Sequence, residues 1–143
     1  MSRIVLFGAT GYTGGLAARS LAAQGARPVL AGRRQEALEE LAGELGGLEI
    51  ASADAGRPES VRALLAPGDV LVTTVGPMAR WGRPALDAAI RADLPSLRIV
   101  HGKGTGALRA LVADALKSDP RVKSFRSGTI TEGGTGVTVA ELR

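Results

Sequence analysis

Seven residues near the N-terminus, Gly8-Ala9-Thr10-Gly11-Tyr12-Thr13-Gly14, constrain the fold of this 143-residue chain more than any other stretch. An apolar run, Ile4-Val5-Leu6-Phe7, leads into them, and a helical pattern with Leu16, Ala17, Ser20 and Leu21 on one face leads out. Strand, glycine loop and helix make the first half of a phosphate-binding βαβ unit. Glycine suits the tight turn and lets a ligand come close to the backbone. The N–H groups at the helix start then face a pyrophosphate. The spacing is G-x-x-G-x-x-G, with Thr10 where the commoner fingerprint has its middle glycine. A tight strand-to-helix turn without a ligand is the alternative reading.

The rest of the first half repeats the alternation. Pro28–Ala31 reads as a second strand, and Gln35–Leu45 as a helix with Leu38, Leu41, Ala42 and Leu45 at helical spacing. Leu48–Ala51 is a third strand, Glu59–Leu65 a third helix, and Asp69–Thr74 an apolar, β-branched fourth strand. Strands separated by helices of about ten residues imply a parallel, doubly wound sheet. Pro84–Ala92 continues as helix four, Leu97–His101 as strand five, and Ala107–Lys117 as helix five. Helix five carries an apolar stripe of Leu108, Leu111, Val112, Ala115 and Leu116. Val122–Arg126 and Val137–Leu142 then follow with no helix between them. Ser127–Gly136 is a glycine-rich hairpin loop, so the last strand should run antiparallel to its predecessor.

Length fits one domain, residues 1–143. Aromatic residues make up only 3% of the chain, so the core must be built from Leu, Val, Ile and Ala. The absence of cysteine excludes disulfides and thiolate metal sites. No apolar run approaches the roughly 20 residues of a membrane span, and no signal-peptide pattern is present. The expectation is a soluble, cytoplasmic protein, or a recombinant product with no native location. The formal charge of +4 is unevenly placed. Residues 1–93 hold ten Arg, no Lys and ten acids, whereas residues 94–143 hold eight Lys or Arg against four acids. The last third alone is basic, which favours an anionic partner there or, equally, a solvated face.

Strand two ends in Ala31-Gly32-Arg33-Arg34. An acid usually meets a free ribose 2′-hydroxyl at that point. Guanidinium groups match a 2′-phosphate instead, through paired, charge-assisted hydrogen bonds. Arg33 and Arg34 therefore favour NADP(H) over NAD(H), with Arg34 equally readable as a solvent-side helix start. Asp54, after strand three, is a candidate adenine contact or else a turn residue. Val75-Gly76-Pro77, after strand four, would pass under the dinucleotide. Candidate cofactor contacts are thus Gly8, Thr10, Gly11, Tyr12, Thr13, Gly14, Arg33, Arg34, Asp54, Val75, Gly76 and Pro77.

Gly8–Gly14, Ala31-Gly32-Arg33 and Thr73-Thr74-Val75-Gly76-Pro77, with the following Trp81-Gly82-Arg83-Pro84, resemble the NADP-binding domain of saccharopine-dehydrogenase-like reductases. The resemblance covers about residues 1–92. It implies an NADP-dependent Rossmann half. The substrate-carrying domain that follows in that family is not recognisable here.

From Leu97 the chain resembles a different family. Leu97-Arg98-Ile99-Val100-His101-Gly102-Lys103-Gly104-Thr105-Gly106-Ala107-Leu108-Arg109 is similar to the His-Gly-Lys-Gly segment of Smr (small MutS-related) domains. Pro120–Arg126 and Glu132–Val139 continue the likeness, which covers about residues 94–143. It implies nucleic-acid binding and, in some members, nicking. The acidic Leu-Asp-Leu-His/Arg-Gly stretch of the family's first strand is absent, and Leu71–Thr74 stands in its place. His101, Gly102, Lys103 and Gly104 remain as a second strand-to-helix loop able to meet nucleic acid or another anion. A lone His at a strand end also has a structural reading. Phe125 reads as core rather than a stacking platform. No residue set stands out as catalytic, and no metal-ligand cluster is visible.

The two resemblances meet at Ala92–Leu94 without a linker, so both parts must share one sheet. A chimera, engineered or arising by natural recombination, is the expected origin. The expected architecture is a Rossmann-like, three-layer, mostly parallel α/β sheet in the order 3-2-1-4-5-7-6, strand seven antiparallel. Helices one and two should cover one face, helices four and five the other. Three functions stay open: a scaffold with residual NADP(H) binding and no turnover, a nucleic-acid-binding module, and a reductase fragment working with a partner. Helix faces that a further reductase domain would cover suggest a homodimer.

Overall fold

The computed structural model describes residues 3–54, 56–74, 86–101 and 106–143. Seven strands form one sheet in the order β3-β2-β1-β4-β5-β7-β6. They are β1 (Ile4–Phe7), β2 (Val29–Gly32), β3 (Ile50–Ser52), β4 (Val70–Thr73), β5 (Ser96–Val100), β6 (Val122–Ser127) and β7 (Val137–Leu142). Between them run α1 (Tyr12–Ala23), α2 (Gln35–Glu44), α3 (Pro58–Arg62), α4 (residues 86–91) and α5 (Ala107–Lys117). β1 pairs in parallel with β2 and β4, β2 with β3, and β4 with β5. β7 lies antiparallel to both β5 and β6. Order and direction match the expectation from the residues. Boundaries move by one to three residues, most at β3, which starts at Ile50 rather than Leu48, and at α3, which ends at Arg62 rather than Leu65.

The seam between the two parts is ordinary sheet. Leu71, Val72 and Thr73 of β4 stand opposite Leu97, Arg98 and Ile99 of β5. Alternation along β1 sends Val5 and Phe7 to one face and Leu6 to the other. The Leu6 face packs under α1 and α2 through Ala18, Leu38, Leu41 and Ala42. The Val5 face packs under α3, α4 and α5 through Val61, Leu86, Ala89, Val112 and Leu116. Leu116 and Val112 are buried, whereas Leu111, expected on the same stripe, is 51% exposed. Phe125 is partly buried against this core.

The layering is stepped. Helices cover both faces over β1 and its neighbours, but among the described residues no α-helix lies on the α1 side of β5, β7 and β6. Leu97 and Ile99 point into the α5 core, so Arg98 points the other way. A 3₁₀ turn, Ile130–Glu132, lies over that side. Its Glu132 accepts from Arg126 at 2.7 Å and sits 3.7 Å from Arg98. An antiparallel edge tolerates such a polar face.

α1 departs from its expected orientation. Its buried residues are Gly14, Gly15 and Ala18, while Leu16 is 53% exposed. Leu16 and Leu21 instead line a groove of about 480 Å³ with Val72, Val100 and Ile130. Small residues win the sheet-facing side because α1 approaches β1 too closely for larger ones. Elsewhere, polar groups tie the elements. Arg3 donates to both carboxylate oxygens of buried Asp69, at 3.1 and 2.7 Å. That hydrogen bond holds the Asp69 carboxyl below its ordinary range. Arg121 joins Asp119 and Asp87 at 3.0 Å each, tying the start of β6 to α4.

Candidate functional site

The carboxyl edge of the parallel strands gathers the chain's chemistry. At the end of β1 the backbone turns through Gly8, whose φ is 94°, a left-handed conformation that favours glycine. The N–H groups of Gly8 and Ala9 both donate to the Ala31 carbonyl, at 2.9 and 3.1 Å, anchoring the loop on β2. Thr74 anchors it on the other side, its hydroxyl donating to the carbonyls of Phe7 and Gly8. A Cβ on Gly14 would stand 1.8 Å from the Gly8 carbonyl oxygen. The third glycine of the fingerprint is therefore what lets the helix seat on the strand.

Helix α1 starts from Gly11 with no side-chain cap. Its first backbone bond runs from Gly15 N–H to the Gly11 carbonyl, which leaves the N–H groups of Tyr12, Thr13 and Gly14 without intrahelical acceptors. They sit at the positive end of a twelve-residue helix, a cradle for a phosphate. Tyr12 is 86% exposed. Thr10 lies beside β2, its hydroxyl 3.6 Å from where a Cβ on Gly32 would be.

Arg33 and Arg34 leave the end of β2, both exposed. Neither carries an ion pair or hydrogen bond from its side chain among the described residues. Most described arginines do: Arg3, Arg19, Arg62, Arg91, Arg98, Arg121 and Arg126 all sit in ion pairs. Asp54 belongs to a turn. Its carboxylate accepts from Gly56 N–H at 2.8 Å, and its own N–H donates to Ser60 Oγ at 2.9 Å. Arg33 and Asp54 nevertheless line one cleft of about 220 Å³, with Ser52, Ala53, Ser60 and Arg57. Arg57 belongs to no strand-end motif, and only the β2–β3 pairing brings it to Arg33.

His101 closes β5. Its N–H donates to the Gly136 carbonyl at 3.0 Å, and its Nε2 lies 2.8 Å from the hydroxyl of buried Thr138 on β7. The imidazole is thus oriented by the hairpin that the last strand completes. β4 alone separates β5 from β1, so His101 stands two strand spacings, about 10 Å, from the first glycine loop. Val75, Gly76, Pro77, Gly102, Lys103 and Gly104 lie outside the described residues. No described helix is long and apolar enough to cross a membrane.

Charge near the hairpin is locked. Two hydrogen bonds from Arg126 and one from the Thr129 N–H pull the Glu132 carboxyl down to about 2. The same Glu132 and Thr129 form a reciprocal capping box at the 3₁₀ turn.

Comparison with known proteins divides the chain as the site does. Residues 83–143 match the family model of the Smr domain. The match begins ahead of residue 94, where the residue-level resemblance starts. Over 58 residues the chain is 67% identical to the endonuclease MutS2 of Gemmatimonas aurantiaca and 62% identical to that of Symbiobacterium thermophilum. In each case the match covers 41% of this chain but 7% of the relative. By structure, the chain is similar to the Citrobacter sp. triphenylmethane reductase complexed with NADP(H), with TM-score 0.56 and 27% identity, covering 65% of this chain and 35% of that one. Saccharopine dehydrogenase from Saccharomyces cerevisiae shares the fold at TM-score 0.58 and 22% identity, over 78% of this chain and 24% of that one. Residues 83–143 are an Smr domain, continuous in one sheet with an N-terminal part that has the fold of the Rossmann-type reductases.

Proposed function

We propose that the chain is a chimera, engineered or recombinant, whose residues 1–92 and 93–143 form one domain, and that its first glycine loop binds NADP(H) without turnover of its own. One observation carries the binding claim. The open N–H groups of Tyr12, Thr13 and Gly14 and Arg33, unpaired among the described residues, share one sheet edge, at the two places where a pyrophosphate and a 2′-phosphate would be met. The residues present fit the cofactor: Gly14 keeps the helix close, Gly11 leaves its N-terminus uncapped, and Arg33-Arg34, not an acid, directly follow β2 where a 2′-phosphate would be met. Bound NADP(H) would supply hydride chemistry; these residues would bind and orient it. The abrupt change in lysine usage after residue 93 supports the chimeric origin.

Calorimetry with NADP⁺ tests the binding claim, and no saturable binding at millimolar cofactor overturns it. NADPH mixed with carbonyl and enoyl compounds should stay reduced. Steady oxidation instead would favour a reductase working on a substrate held by another chain.

A second reading rests on a separate observation. The Smr domain places His101, oriented by Thr138, at the same edge, and its MutS2 relatives are named endonucleases. On this reading, the His101–Gly104 loop contacts nucleic-acid phosphates. A DNA shift assay titrated with salt decides: affinity unchanged by His101→Ala and by Lys103→Ala counts against it.

A further inference from the structure

We infer that Arg57, on the turn after β3, is a second specificity-determining cation, gripping the 2′-phosphate of the nucleotide from the side opposite Arg33. The inference rests on the NADP(H)-binding reading and names a residue that reading does not need. Register brings the two together. Gly32 and Ser52 are partners across β2 and β3, and Ala53 N–H donates to the Gly32 carbonyl at 2.8 Å. The chain leaving β3 therefore runs beside Arg33.

The backbone at Arg57 is held while its side chain is not. Its N–H donates to the Asp54 carbonyl at 2.9 Å. Its carbonyl accepts from Ser60 N–H at 2.9 Å and from Ser60 Oγ at 2.7 Å. The guanidinium has no hydrogen bond or ion pair among the described residues, even with Asp54 three positions away. Asp54 is turned to Gly56 instead, at 2.8 Å. Arg57 and Arg33 both line the 220 Å³ cleft, with the hydroxyl-bearing Ser52 and Ser60.

A phosphate monoester dianion suits this arrangement. Two guanidinium groups can each offer paired N–H donors to one planar face of its oxygens. An unphosphorylated ribose offers the two guanidinium groups no anion, so NAD(H) lacks these contacts; the Asp54 carboxylate on the same cleft is already engaged by Gly56 N–H. A purely solvated surface arginine would have no such selectivity.

The test is calorimetric titration of the full chain with NADP⁺, NAD⁺ and adenosine 2′-monophosphate. It compares wild type with Arg57→Ala, Arg57→Lys, Arg33→Ala and, as an equal change in net charge, Arg143→Ala. Matched melting curves confirm that each variant folds. Arg57→Ala should weaken NADP⁺ and adenosine 2′-monophosphate by about tenfold, the scale of a charge-assisted paired contact. NAD⁺ should be unaffected by Arg57→Ala, both nucleotides should be unaffected by Arg143→Ala, and Arg57→Lys should restore part of the loss. An equal loss for NAD⁺, or none for NADP⁺, overturns the role of Arg57 while wild-type NADP⁺ binding keeps the broader reading alive. Absence of wild-type NADP⁺ binding overturns both.

Discussion

The Gly8 carbonyl oxygen lies 1.8 Å from where a Cβ on Gly14 would be. It also accepts from Gly11 N–H at 3.1 Å and Thr74 Oγ1 at 3.1 Å. It can move only by breaking the loop that anchors it. Gly14→Ala should therefore destabilise the chain by about 3 kcal/mol, the upper end of overpacking costs. Gly43, near the end of α2, has open space around its Cβ position, so Gly43→Ala should add about 0.5 kcal/mol. Urea unfolding of both variants checks the contrast; equal midpoints would mean that α1 does not seat on Gly8.

The pairing of β4 with β5 should make the two parts one cooperative unit. Leu30 belongs to the first part and Leu116 to the second, and both are buried. Leu30→Ala and Leu116→Ala should each cost about 2–5 kcal/mol and shift the same single transition, seen by far-ultraviolet dichroism and by scanning calorimetry. Two separate transitions, each moved by only one substitution, would show that the sheet is not continuous in energy.

Glu132 gives the hairpin an acid limit. Its carboxyl, about 2 in the folded chain against 4.5 ordinarily, is depressed by the Arg126 hydrogen bonds first and the Thr129 N–H second. Between those values the unfolded chain takes up a proton that the folded chain does not, so stability rises with pH there. The contribution is complete above about pH 4.5 and fades as pH falls toward about 2. Unfolding midpoints measured from pH 6 to pH 2.5, conditions chosen to bracket that window, should drop less steeply for Glu132→Gln than for wild type. Parallel curves would contradict the assignment.

Lys103 tests the second reading. If its loop contacts phosphate, Lys103→Ala should weaken DNA binding uniformly across sequences and reduce the salt slope by about 1. A shift assay at several salt concentrations reads both quantities; a change confined to one DNA sequence would point to base contact instead.

The topology was legible because each strand announced itself through an apolar run and each crossover through a helix. The missing helix between β6 and β7 gave away the antiparallel end. The face of α1 was not legible. Periodicity favoured Leu16 and Leu21, but contact with the sheet is decided by how near the helix can come, and Gly14 and Ala18 permit an approach that leucine forbids. Arg33 is a candidate from its place after β2 alone. The nearness of Arg57 to Arg33 is not readable in the sequence, because it comes from the pairing of Gly32 with Ser52 and from the turn that Asp54 makes. Asp54 showed the converse: an acid placed well for adenine is bonded to Gly56 N–H. The Thr138 contact to His101 depended on register between β5 and β7, which no local pattern specifies.

On the proposed reading, the first glycine loop and the end of β2 form one NADP(H) site. A crystal structure of the chain grown with NADP⁺ tests it most directly. The expected density has the pyrophosphate on the N–H groups of Tyr12–Gly14 and the 2′-phosphate against Arg33. Cofactor bound elsewhere, or a glycine loop left empty at saturating NADP⁺, would contradict it.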